Sequence, residues 1–162
     1  MSAPNIVILF PPELAREVLL RDLVQKLELV PEELHPALNH DFCAKRMEED
    51  GYILLHYYFN GSFEVEEFYY WEKPSRFHKE LLVDCESLLS VTYRGIQRAR
   101  RCFQVVSESV GELASRCVVE NDHGCLLTLE EICRCLNADP TWSWEREDFP
   151  ELPNVASSEW IE

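Results

Sequence analysis

Apolar and polar positions alternate along this chain in three recognisable rhythms. NIVILF (5–10) is a short unbroken apolar run that ends at Pro11-Pro12 and reads as one buried strand. Proline suits the first turn of a helix, and Glu13 favours the positive end of its dipole. Leu14, Val18, Leu19 (or Leu20), Leu23 and Leu27 then recur at three- and four-residue steps, which predicts a helix from about 12 to 28. Pro31 and Pro36 interrupt the next stretch, leaving a single helical turn in PEELHPAL (31–38). Phe42, Arg46 and Met47 share a helical face and Gly51 stands just beyond, so a short helix is expected over 40–50.

The densest local signal lies in YILLHYYFNGSFEVEEFYYWE (52–72), where two aromatic and β-branched runs flank Asn60-Gly61. Asn-Gly accepts the positive φ of a type I′ turn. A two-residue loop would pair Tyr58 with Phe63, His56 with Val65, Leu54 with Glu67 and Tyr52 with Tyr69. Pro74 closes that hairpin and Ser75 stands ready to cap a helix. From Leu82 to Cys117 apolar or small residues step by three and four without a miss, the pattern of a helix seam. An unbroken helix over 76–119 would be about 66 Å long, against a radius of gyration of about 15 Å for a compact chain of this size. A break is therefore expected at Ser90-Val91-Thr92-Tyr93 or Gly95, giving two helices. Residues 120–124 read as a loop, Thr128 with Glu131 as a capping box, and 129–137 as a helix ended by Asp139-Pro140. From 141 onward no period is visible, and there is no internal repeat. These elements predict an α+β domain, helix-dominated, with a small antiparallel sheet (hairpin 52–72) packed on long amphipathic helices. The globular domain would span 1–140, and an acidic tail with Trp and Pro would span 141–162, its tryptophans pinning it to the surface.

Charge changes the picture. The formal net charge is −15 over 162 residues. Residues 1–75 carry 14 acids against 6 bases and residues 120–162 carry 11 against 2, while 76–119 carry 5 against 7. Such a field speeds encounter with basic partners and disfavours nucleic acid or an anionic membrane as the main ligand. No apolar run reaches the length of a spanning helix. MSAPNIVILFPPE lacks the basic flank and cleavage site of a secretory signal, so a cytoplasmic protein is expected. Seven cysteines, odd in number and irregular in spacing, fit that compartment as reduced, buried thiols.

The few cations gather in YRGIQRARRC (93–102). If this segment is helical, Arg94, Arg98 and Arg101 share an outward face and Arg100 flanks them. The cluster either forms ion pairs with acids of this chain such as Glu64, Glu66, Asp148 or Glu151, or makes an external contact with a phosphate, a nucleic acid or an acidic partner surface. Cys117, His123, Cys125, Cys133 and Cys135 fall within twenty residues. However, Cys133 and Cys135 point about 200° apart on a helix, which is poor for a shared zinc. No nucleophile elbow, phosphate loop or dinucleotide glycine pattern is present. Neither a catalytic residue, a metal nor a cofactor is expected.

What remains is recognition. Glu64, Glu66, Glu67 and Glu72 are interleaved with Tyr69, Tyr70 and Trp71, and the tail adds Trp142, Trp144 and Glu145. Aromatic anchors ringed by charge are how tight interfaces are built. This profile — small, acidic, without a catalytic motif — is similar to that of bacterial immunity proteins, although no family motif is present. The similarity implies a stoichiometric inhibitor that neutralises a basic toxin domain by electrostatic occlusion, acting as monomer or homodimer. Alternatives are an acidic dimeric secretion chaperone, or a phosphate- or nucleotide-binding regulator or enzyme using Arg94–Arg101.

Overall fold

NIVILF is a strand, and its uniform apolarity has a structural cause: both of its faces are covered. The computed structural model describes residues 3–32 and 42–147. In chain order it comprises β1 (Asn5–Phe10), α1 (Arg16–Lys26), β2 (Val30–Pro31), β3 (Phe42–Glu48), β4 (Gly51–Tyr58), α2 (Ser62–Tyr69) and α3 (Arg76–Val83). There follow β5 (Ser87–Arg94), α4 (Ile96–Val110), a 3₁₀ turn (Gly111–Ser115), β6 (Val118–Glu120), β7 (Leu126–Thr128) and α5 (Leu129–Ala138). The strands form one sheet in the order β2-β3-β4-β5-β1-β6-β7, every neighbouring pair antiparallel.

Period-two alternation divides the side chains between two cores. Ile6, Ile8, Phe10, Ile53, Leu55, Tyr57, Leu89, Val91 and Tyr93 point to the larger one, against Leu19 and Leu23 of α1, Phe103 and Val106 of α4 and Ile132 of α5. Val7, Leu9, Leu88, Val118 and Leu126 point the other way, against Phe68 of α2 and Leu82 of α3. The sheet is thus a middle layer, with α1, α4 and α5 on one side and α2 and α3 on the other.

This overturns the helix-dominated fold with a small hairpin at 52–72: a seven-stranded sheet organises the described residues. Three segments account for the difference. Residues 42–48 are a strand rather than a helix. β3 pairs with β4 from Phe42↔Tyr57 to Glu48↔Gly51, turning at Glu49-Asp50. The hairpin therefore exists one element earlier than expected. Gly51 packs against the carbonyl of Arg94, where no Cβ fits.

Second, SFEVEEFY is a helix. Neither Asn60 nor Gly61 has the positive φ that a type I′ turn demands. Asn60 Oδ1 instead accepts the Ser62 N–H at 2.9 Å, bending the chain into α2. Once β4 has β3 and β5 on its two edges, no edge remains for 62–69. Its glutamates suit a helix, and the step from Val65 to Phe68 buries one face.

Third, the seam over 76–119 is interrupted, and the expected weak point is where this happens. The interruption is a whole strand rather than a kink: Leu89-Ser90-Val91-Thr92-Tyr93 lies between β4 and β1. Three- and four-residue steps carried on through β5 because a strand buried on both faces offers apolar residues at almost any spacing. Gly95, at φ +102°, turns the chain into α4. Ser75 caps α3 by accepting the His78 N–H, and Thr128 with Glu131 forms the full capping box of α5. The expected helices at 12–28 and 129–137 are α1 and α5. The helical turn within 31–38, apart from Pro31 and Glu32, and the tail beyond 147 lie outside the described residues.

Past α5 the chain returns to the larger core. Trp144 is 0 % exposed and meets Phe103 edge-on at 4.8 Å. Its Nε1 donates to Tyr93 Oη at 3.1 Å. Asn121, also buried, donates to the carbonyls of Trp144 and Arg146 at 2.8 Å each and accepts the N–H groups of His123 and Cys125. Truncating Trp144→Ala is expected to cost about 3–5 kcal/mol of stability, as for other buried large aromatics, measured by urea denaturation.

Candidate partner-binding face

The face carrying α2 and α3 concentrates exposed apolar surface. Phe63 is 73 % exposed, Tyr70 76 %, and Tyr69 and Val83 are exposed as well. Between α2 and the α3–β5 corner runs a groove of about 390 Å³ lined by Asn60, Ser62, Val65, Glu66, Tyr69, Tyr70, Val83, Cys85 and Glu86. Local structure creates it. The Gly61 N–H donates to the Glu86 carbonyl at 2.7 Å, so the start of α2 is tied to the strand that follows α3. Gly61 is itself buried, and a Cβ there would crowd Leu88 and Glu86.

Residues 60–86 hold seven acids and three bases. The bases are already engaged: Arg76 pairs with Glu80 at 3.4 Å, Lys73 Nζ donates to the His123 carbonyl at 3.1 Å, and Lys79 Nζ lies 5.8 Å from the Tyr69 ring. Among the described residues Glu64, Glu66, Glu67, Glu72 and Glu86 make no ion pair. This is surplus negative charge beside apolar surface.

The residues singled out from sequence are split by the fold. Glu64, Glu66, Glu67, Tyr69 and Tyr70 come together on or just after α2, and Glu72 lines the next cleft along. Trp71 turns inward and packs at a tilt against Phe68, ring centroids 4.6 Å apart. Trp142 and Trp144 are buried on the far side of the sheet, so their rings serve the core rather than a surface. Glu145 lies there too, accepting from Tyr93 Oη at 2.6 Å. Phe63, Val83 and Glu86 were missed. The hairpin expected at 52–72 puts Phe63 in a strand opposite Tyr58, and Val83 and Glu86 reach the groove only through packing of α3 against α2.

The arginines part company as well. Arg94 ends β5 and Arg98, Arg100 and Arg101 lie on α4, so they do not form one helical stripe. Arg98 Nη2 donates to Glu48 at 2.9 Å and to Asp50 at 2.6 Å. The bond from Arg98 holds the Asp50 carboxyl below its usual range, and hydrogen bonds from Arg46 first and Arg98 second do the same for Glu48. The acids that meet Arg98 are thus those of the β3–β4 turn, not Glu64 or Glu66. Asp148 and Glu151 lie outside the described residues. Arg100 donates to the Trp142 carbonyl at 3.1 Å. Arg101 is exposed beside a cleft of about 450 Å³ that it shares with Glu28, Arg46, Glu48, Asp50 and Arg98.

Two buried polar groups complete the face. His78, 1 % exposed, bridges Ser75 Oγ (2.7 Å) and Glu131 Oε1 (2.8 Å), joining the cap of α3 to the capping box of α5. Hydroxyl, imidazole and carboxylate stand in the order of a nucleophilic relay. With the imidazole sealed from solvent and both end groups taken up by caps, their evident work is to tie two helices across the sheet. Glu120, 6 % exposed at the end of β6, is pushed up to about 7 by burial; the N–H groups of Gly124 and Asp122 oppose that rise, and the charges of Asp122 and Glu67 add to it.

All seven cysteines are free. Burial pushes the Cys85 and Cys102 thiols up to about 12, the opposite of an activated nucleophile. Among the described residues no three His, Cys, Asp or Glu side chains converge to hold a metal ion, and no helix is long and apolar enough to cross a membrane. No family model matches this chain, and neither a curated protein nor a solved structure does.

Two outcomes are expected. His78→Ala should cost about 2–4 kcal/mol in denaturant melts, since it removes the imidazole contact of buried Glu131 and leaves its carboxylate with the Thr128 N–H of the capping box. Glu120 has a folded pKa above its ordinary 4.5, so its charge opposes folding. That penalty is absent below about pH 4.5, grows as pH rises, and is complete somewhat above pH 7. Glu120→Gln should therefore melt close to the parent at pH 4 and higher than it at pH 8, by about 1–3 kcal/mol.

Proposed function

We propose that this protein is a stoichiometric binder that masks a basic protein partner, of the kind an immunity protein forms with a cationic toxin domain. The observation that carries this reading is the α2–α3 groove, with exposed tyrosines on its wall and carboxylates at its rim that have no cation partner among the described residues. A surface built for solvent alone has no use for Phe63 and Tyr70 at this exposure, clustered as they are with Tyr69 and Val83.

The mechanism has two stages. The net charge of −15 steers a cationic partner at long range, which raises the association rate in a salt-sensitive way. Contact then covers the tyrosines, displaces water and strengthens the short-range attraction between carboxylates and the partner's Lys or Arg. A basic side chain beside Glu67 would also relieve the like-charge crowding at Glu120. The complex would block the partner's active site by coverage, with no bond made or broken. A cytoplasmic location belongs to the same reading, since seven unpaired thiols suit a reducing compartment.

The test starts from the neighbouring reading frame. Its product, purified and mixed with the full chain, is expected to be basic, to bind one to one, and to associate more slowly as salt rises. Glu66→Lys combined with Tyr70→Ala, both at exposed positions, should keep the melting temperature and weaken binding by about a hundredfold or more. A neighbour that is acidic, or a complex indifferent to both salt and this double change, would overturn the proposal.

A further inference from the structure

We infer that the groove between α2 and the α3–β5 corner receives an arginine side chain from the partner. This rests on the proposed function for the sign of the partner's charge and adds the element that is recognised.

The two walls have complementary parts. Val65, Tyr69 and Tyr70 stand on one side, Val83 and Cys85 on the other. Each wall also contributes one carboxylate, Glu66 from α2 and Glu86 from the approach to β5, and among the described residues no cation lines the groove. The volume of about 390 Å³ holds a guanidinium and its three-methylene stem with room for water. An apolar trough with acids on both banks suits a ligand that is apolar along its length and cationic at its tip.

Three features favour arginine over the other side chains of a basic surface. The planar guanidinium carries five donors in a fixed fork and can address carboxylates on two sides at once, whereas an ammonium is a compact point charge. It is also weakly hydrated and stacks on aromatic faces. Tyr69 and Tyr70 meet edge to face, centroids 5.8 Å apart and planes at 89°, so their faces point in different directions. The chain already places a cation near one of these rings, Lys79 Nζ at 5.8 Å from the Tyr69 centroid.

Other occupants fit less well. A phosphate would face Glu66 and Glu86 with no base among the described residues that line the groove. A purely apolar side chain would desolvate both carboxylates without replacing their water. Covalent capture at Cys85 is disfavoured, because its thiol donates to the Leu81 carbonyl at 3.6 Å and its pKa is raised by burial.

The experiment is an amide-resolved NMR titration of the full chain with acetyl-Gly-Arg-Gly-amide and its lysine and citrulline counterparts. Citrulline keeps the shape of arginine and removes its charge. The arginine peptide should give saturable shifts confined to amides of 60–70 and 83–86, on the order of tenfold tighter than lysine, with none from citrulline. Glu66→Gln with Glu86→Gln should abolish them and keep the fold, both residues being exposed. Shifts centred elsewhere, equal response to citrulline, or no response to arginine would overturn the inference. The same double variant separates this idea from the broader one. A basic partner that still binds it with parental affinity refutes arginine capture and leaves the proposed function standing. Groove-centred arginine binding without any basic partner protein refutes the function and keeps the site.

Discussion

Burial of β1 on both faces and both edges is the constraint from which the rest of the molecule follows. Ile6, Ile8 and Phe10 fill one core and Val7 and Leu9 the other, while β5 and β6 pair on either side. A strand placed so needs no polar face, hence NIVILF. It also needs helices above and below it, because each core must be closed against water. α1, α4 and α5 close the larger core. The smaller one is closed by the short pair α2 and α3, and that economy shapes the surface. Two eight-residue helices cover Leu9, Leu88, Val118 and Leu126 and have little area left to bury their own aromatics.

The exposed groove is the consequence. α2 commits Phe68 inward, which turns Phe63, Tyr69 and Tyr70 toward solvent. Its glutamates lie among them. Lys73, Arg76 and Lys79 are each engaged locally, so they do not neutralise these acids. Buried ties keep the helices in place from beneath: His78 joins α3 to α5, and the Gly61 N–H joins the start of α2 to the chain entering β5. The face is therefore held as a surface before any partner arrives, which lowers the ordering cost of binding.

The arginines show the same logic with the opposite sign. Arg98 sits at the corner where the β3–β4 turn, the end of β5 and the start of α4 meet. Glu48 and Asp50 are brought to it by the hairpin. A positive charge in a negative molecule is here a local fastener. Arg100 does similar work by holding the Trp142 carbonyl.

Several features were legible in the residues alone because their causes are local. β1 was readable from an apolar run bounded by prolines, α1 from its leucine spacing, and α5 from the Thr128–Glu131 box. The surplus of acid around 64–72 was readable as well, together with its aromatic company. What only the tertiary structure decided was who pairs with whom. Asn60-Gly61 is locally a fine hairpin turn, and 76–117 is locally a fine helix seam. Both local preferences gave way because β4 found its partners in β3 and β5 rather than in the residues after Gly61. A strand's hydrogen bonds are made with distant chain, so the pairing that satisfies the most backbone groups overrides a turn or a periodicity worth little by itself. The groove follows the same rule. Tyr69 and Tyr70 are visible in the sequence, but Val83 and Glu86 join them only once α3 is packed, and Trp142 and Trp144 leave the surface only because a core exists to receive them.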